Sequence, residues 1–138
     1  MPYPEPFIAP MREELTRVGA RELRTAADVD TAVTSSGTVL VVVNSICGCA
    51  AGKARPGIAA ALQHPRVPAA VTTVFAGADM EATARAREYL LPYPPSSPSI
   101  GLFRDGKLVF MMERRDIETR SAPMIRDALT AAFDEFCV

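Results

Sequence analysis

The stretch "TVLVVVNSICGCAAGKARP", residues 38–56, sets a β-branched apolar run against an alanine-rich one, with Cys47 and Cys49 between them. Thr38–Asn44 is apolar at successive positions, which predicts a strand buried on both faces. Alanine is the strongest helix former, so the second part predicts a helix from Gly48 to about Gln63, kinked at Pro56. Residues 45–49 then form the loop at the carboxyl edge of the strand. That edge is the usual place for a site in an open α/β sheet. Three readings of the two thiols are open here: a reactive pair, two ligands of a metal, or small residues filling space.

The chain on either side supplies the rest of the layout. "AVTTVFAG" (70–77) predicts a second strand, and Asp79 a cap for a helix over Met80–Leu91 that stops before "PYPPSSP". "SIGLF" (99–103) and "KLVFMM" (107–112) flank Asp105-Gly106, a hairpin signal. From Ser121, with Pro123 in the first turn, Ile125, Leu129, Ala132, Phe133 and Phe136 share one helical face. Upstream, Met11, Leu15 and Val18 predict a short helix ending near Gly19, and Thr25 caps another, with Asp28 at its third position. Residues 1–36 therefore read as an N-terminal helical extension of one domain, 1–138. The order βαβ, α, ββ, α implies an α/β fold with a mixed central β-sheet flanked by helices.

Composition narrows the function classes. The 138 residues are 49% hydrophobic and 22% charged, as in a globular protein. The net charge of −1, from 15 basic and 16 acidic residues, gives no electrostatic footprint for nucleic acid. The apolar run Val39–Val43 is far shorter than the roughly 20 residues a bilayer requires. The opening "MPYPEPFIAPMREEL" lacks a basic start and an apolar core, so no membrane partner and a cytoplasmic location are expected. Three cysteines in that setting are catalytic, metal-binding or buried rather than a disulfide framework.

Position favours reactivity. A thiolate is the attacking species, and a helix N-terminus stabilises it through unpaired N–H groups and the positive dipole end. Cys47 falls at the cap and Cys49 in the first turn, with Gly48 removing bulk between them and Lys53 and Arg55 adding positive charge beyond. Cys47 is the expected nucleophile and Cys49 the resolving thiol. Their bridge would span one residue, and departures from preferred geometry make such a bond easy to reduce. The metal reading is short of ligands, since only Cys137 and His64 remain as Cys or His candidates and a structural zinc site takes four. Cys137, at the margin of the last helix's apolar stripe, is a candidate third redox thiol. His64 before Pro65 reads as a helix C-terminal cap, and Arg114-Arg115 as a solvated mixed-charge turn. Pro98 opens a strand beside the same sheet edge; cis is only about 5–6% of X–Pro bonds, so the residues alone favour trans.

"VVVNSICGCAAGKARP", "VTTVFAG", "EATARAREY", "PPSSPSIGLF" and "LTAAFDEFC" together resemble the bacilliredoxin family along nearly the whole chain. The element order is similar to the thioredoxin fold. The resemblance implies a cis Ser97–Pro98 bond next to the thiols, with Asn44, Ser45 and Gly48 framing Cys47 and Cys49. It also implies a thiol–disulfide oxidoreductase that removes bacillithiol, or another low-molecular-weight thiol, from S-thiolated client proteins. No bound cofactor is implied; the small thiol is a co-substrate, and a recycling reductase is the further partner. A general disulfide isomerase or glutathione-linked reductase using the same pair, and a metal-binding module on Cys47, Cys49 and Cys137, are the alternatives.

Overall fold

Strand β2 occupies Thr38–Asn44 with all seven residues buried, the outcome its unbroken apolar run predicts. The chain is described over residues 2–138 in a computed structural model. The other strands are β1 (Arg21–Glu22), β3 (Ala70–Phe75), β4 (Ser99–Arg104) and β5 (Lys107–Met112), arranged as β1-β3-β2-β4-β5. β2 pairs parallel with β3 and antiparallel with β4, so it is the central strand of a mixed sheet. The helices are α1 (Glu5–Thr16), α2 (Ala26–Val33), α3 (Arg55–Ala61), α4 (Met80–Tyr89), α5 (Arg114–Glu118) and α6 (Ala122–Phe136).

Alternation along β2 sorts the core into two layers. Leu40 and Val42 pack with Ile58, Ile125, Leu129 and Phe133 of α3 and α6. Val39, Val41 and Val43 pack with Val29, Val33, Ala82 and Ala86 of α2 and α4. α3 lies so close to α6 that a Cβ on Gly57 would stand 2.8 Å from Ile125 Cγ2. The hairpin turns at Asp105-Gly106, both in the left-handed region (φ 50° and 81°), the pairing a two-residue turn requires. No helix among the described residues is long and apolar enough to cross a membrane.

Several local expectations are corrected. The first helix begins at Glu5 rather than Met11, because Pro6 sits in the first turn, where its missing N–H is no loss. The stretch 1–36 also contributes β1, which extends the sheet beside β3 and is too short to leave a periodic signal. Pro56 does not impose a simple kink. Helical backbone starts at Gly48 and widens into a π-helical turn over Ala50–Ala54, in which Arg55 N–H bonds to Ala50 O. β3 ends at Phe75 and α4 at Tyr89, each two residues short of the predicted end.

Asp79 stands before α4 but does not cap it. Its carboxylate accepts both Arg12 Nη atoms at 2.9 Å and Phe75 N–H at 3.0 Å. Arg12 also reaches Glu5 at 2.8 Å and Glu22 at 3.0 Å, so one buried guanidinium ties α1 to β1 and to the turn after β3. Removing one partner of a buried ion pair strands the other, which costs about 3–5 kcal/mol. Arg12→Ala should therefore lower unfolding stability by an amount in that range, read from a shifted denaturant midpoint; a loss within 0.5 kcal/mol, roughly that of an ordinary surface change, would contradict this role.

Candidate functional site

At the carboxyl end of β2 the chain leaves the sheet at Asn44 and enters helix at Gly48. Cys47 takes the capping position between them. Its carbonyl accepts the N–H groups of Ala50 and Ala51, both at 3.1 Å, which are the first bonds of the helix. The loop is held from below by Arg55, only 2% exposed. Arg55 Nη1 donates to Asn44 Oδ1 at 3.0 Å and to Ser45 O at 2.8 Å, and its Nε lies 3.1 Å from Glu14 of α1. Asn44 Oδ1 also accepts Ser45 N–H at 2.9 Å, while Asn44 Nδ2 donates to Met11 O at 3.2 Å. Asn44 and Ser45 are thus fixed, and the Ser45 hydroxyl faces Cys47 Sγ at 3.2 Å.

The two thiols are free and half-buried, and their proton affinities move in opposite directions. Burial pushes the Cys47 thiol up, but the Ser45 hydroxyl, the Ala50 N–H and the thiol and N–H of Cys49 outweigh it, and the pKa is lowered. These donors all favour the thiolate. Cys49 is raised, first by burial and then by its hydrogen bond to Cys47, whose negative charge adds to the effect. Its Sγ also lies 3.7 Å from Glu118 Oε2.

The positive charge near the pair comes from a residue read in the sequence as part of a solvated turn. Glu113 and Asp116 form a reciprocal capping box that starts α5, turning Arg114 toward the cysteines. The Arg114 guanidinium is coupled electrostatically to both Cys47 and Cys49. It donates to Ser97 O at 3.3 Å and lies 3.4 Å from Glu118. Lys53 binds the Glu118 carbonyl instead, and Arg55 is consumed by the loop beneath. Capping-box spacing was the available signal for α5; nothing in the sequence marks the direction of Arg114.

The Ser97–Pro98 bond is cis, and Ser97 lines a cavity of about 320 Å³ together with Cys47, Arg114 and Arg87 of α4. Tyr93, Pro92 and Pro94 border an adjoining groove of about 550 Å³ that shares Arg114. The loop before β4 therefore does meet the edge that carries the thiols. Cys137 does not. It follows α6 and lines a separate cavity with Thr38, the first residue of β2, whereas Cys47 follows the last; six strand steps put those ends about 20 Å apart. Burial raises its thiol, with Thr38 opposing. His64 pairs with Asp134 of α6 at 2.8 Å rather than closing its own helix. Among the described residues no three His, Cys, Asp or Glu side chains converge as a metal site.

Residues 3–137 match the family described as Disulphide isomerase. A bacilliredoxin of Koribacter versatilis is 61% identical over 98% of this chain and 94% of its own length. The chain belongs to the bacilliredoxin family. A second bacilliredoxin, from Cytophaga hutchinsonii, is 53% identical over 96% of this chain and 98% of that one. Among solved structures, a mutant thioredoxin from Halobacterium salinarum superposes with a TM-score of 0.62 at 18% identity, covering 88% of this chain and 93% of that one. Thioredoxin from Malassezia sympodialis gives 0.60 at 14% identity, covering 87% and 92%. The bacilliredoxin fold here is that of thioredoxin, and the protein is a thiol–disulfide oxidoreductase.

The Ser45 hydroxyl gives the site a direct test. A hydrogen bond to a charged group contributes about 1.5–3 kcal/mol, so Ser45→Ala should raise the Cys47 pKa and lower its alkylation by iodoacetamide about tenfold at pH below the midpoint. Because alkylation follows the thiolate, the difference should vanish above both midpoints, where Cys47 is ionised with or without Ser45. Equal rates for the two proteins at low pH would remove Ser45 from the account.

Proposed function

We propose that this chain reduces mixed disulfides between client proteins and a low-molecular-weight thiol, bacillithiol in its host, working in the cytoplasm through Cys47 and Cys49. The observation that carries the reading is the place of Cys47 at the cap of a helix, its Sγ 3.2 Å from the Ser45 hydroxyl, with Cys49 in the first turn beside it. The Cys47 thiolate attacks the sulfur of the small thiol in the client–S–S–thiol bond. The client sulfur leaves as thiolate and takes a proton from water, and the small thiol is now bonded to Cys47. Two electrons move within the exchange and none are gained or lost.

Regeneration follows by either of two routes. Cys49, 3.7 Å from the Glu118 carboxylate, gives its proton to water and attacks Cys47 Sγ; the bond from Cys47 to the small thiol breaks, and the small thiol leaves as thiolate and takes a proton from water. The resulting Cys47–Cys49 bridge then requires a reductase. Alternatively, a second small thiol attacks the adduct directly. Gly48 between the thiols leaves open space where a Cβ would stand, and a client backbone has room to approach there. The edge of the Ser97–Pro98 loop is the second surface available to it.

Cys47→Ser should abolish release of the small thiol from an S-bacillithiolated protein, while Cys49→Ser should accumulate an adduct on Cys47 that mass spectrometry locates. Undiminished release by Cys47→Ser would remove it as the nucleophile. The description of the matched family favours a second reading, isomerase or reductase activity on other disulfides. Initial rates on bacillithiol and glutathione mixed disulfides of one client separate the two: de-bacillithiolation requires the first to be clearly faster, and equal rates would favour the broader activity.

A further inference from the structure

Closing the Cys47–Cys49 bridge requires a neutral thiol to give up its proton, because the thiolate is the attacking species. Cys49 holds that proton firmly. Burial, the hydrogen bond to Cys47 and the charges of Cys47 and Glu118 all raise it, with Arg114 opposing. In the reduced pair, the Cys47 thiolate and the Glu118 carboxylate both stand within reach of the Cys49 proton. A mixed disulfide on Cys47 removes the first of these acceptors. Glu118 Oε2, 3.7 Å from Cys49 Sγ, is the one that remains. Among the described residues no other carboxylate bonds to either thiol.

The chain fixes Glu118 in this place from several sides. Ile117, fully buried in one core layer with Ala54 and Ile58, seats α5 against the helical segment that follows Cys49. Lys53 of that segment donates to the Glu118 carbonyl, and Arg114, one turn earlier in α5, has its Nε 3.4 Å from Glu118 Oε2. The carboxylate is thus held at Cys49 by a charged partner. It is also about half exposed and lines the groove of about 550 Å³, where water reaches it. Catalytic hydrogen bonds in a resting site are often long and tighten in the reacting complex, so 3.7 Å is a usable separation. We infer that Glu118 is the general base of the resolving step. Its Oε2 takes the Cys49 proton as Cys49 Sγ attacks Cys47 Sγ. The bond from Cys47 to the small thiol breaks, its electron pair leaves on the small thiol, and Glu118 passes the proton to water. The inference rests on the proposed roles of Cys47 and Cys49 and adds the residue that carries the proton between Cys49 and water.

The test times both exchanges in one turnover with hydroxyethyl disulfide, in a Cys137→Ser background so that only the pair reacts. Acid quenching and mass spectrometry follow the mercaptoethanol adduct on Cys47 as it forms and as it closes to the Cys47–Cys49 bridge. Near neutral pH, Glu118→Gln should lower the ratio of the closing rate to the adduct-forming rate about tenfold, a modest effect for a positioned base because Glu118 is half exposed. Glu118→Asp should restore part of it. The gap should narrow as pH rises and Cys49 ionises unaided. A carboxylate acting through charge alone gives the opposite sign: its loss, with Arg114 released, would ease ionisation of Cys49 and speed closing. An unchanged or raised ratio in Glu118→Gln would therefore overturn the proposal while leaving both cysteine roles in place. A parent chain that forms no adduct, or never closes one, would instead remove the cysteine roles, and this inference with them.

Discussion

The buried guanidinium of Arg55 joins three parts of the molecule that the sequence keeps apart. It reaches Glu14 on α1, Asn44 at the last position of β2 and the carbonyl of Ser45 in the loop that follows. These contacts hold the loop in the shape that points the Ser45 hydroxyl at Cys47. The sheet supplies the platform, because β2 is central and packed on both faces. Helix geometry then supplies N–H groups at the spot where Arg55 has placed the thiol. Packing sets the position, and the polar network sets the chemistry.

The consequence is an unequal pair. Cys47 has donors on several sides and an ionisation favoured by all of them, whereas Cys49 keeps its proton beside a charged neighbour and the Glu118 carboxylate. A stabilised thiolate stabilises the reduced pair, and a disulfide whose reduced form is favoured is a better oxidant. A pair biased in this way would suit exchange rather than stapling, in keeping with the proposed reaction. The same stabilisation is lost as pH falls through the lowered Cys47 value, since the donors then face a neutral thiol. Arg114 acts on both halves of the pair through its charge and donates to the Ser97 carbonyl, so α5 couples the thiols to the loop that precedes β4.

Features governed by short-range pattern were legible in the sequence. "TVLVVVN" has one sensible burial, Thr25 has a capping partner three residues on, and Asp105-Gly106 fits one hairpin turn. The place of Cys47 at a helix start followed from those neighbours. What was hidden depends on where long charged side chains end. Arg55, Arg87 and Arg114 sit in polar sequence surroundings indistinguishable from a solvated face, yet one is buried and two line a cavity. Asp79 was readable as a residue before a helix but not as the partner of Arg12, 67 positions away. Two-residue β1 leaves no period to detect, and the π-helical turn before Pro56 replaces a kink by a shift of one hydrogen-bond partner. The cis Ser97–Pro98 bond came from family likeness, against the general preference of X–Pro bonds.

Thiolate absorbance near 240 nm, followed through a pH titration of the fully reduced chain, measures the ionisation on which the account depends. One thiolate per chain should appear below the ordinary thiol value of about 8.5, vanish from the low-pH limb in Cys47→Ser, and remain in Cys137→Ser. Three thiols titrating together at or above that value would contradict it.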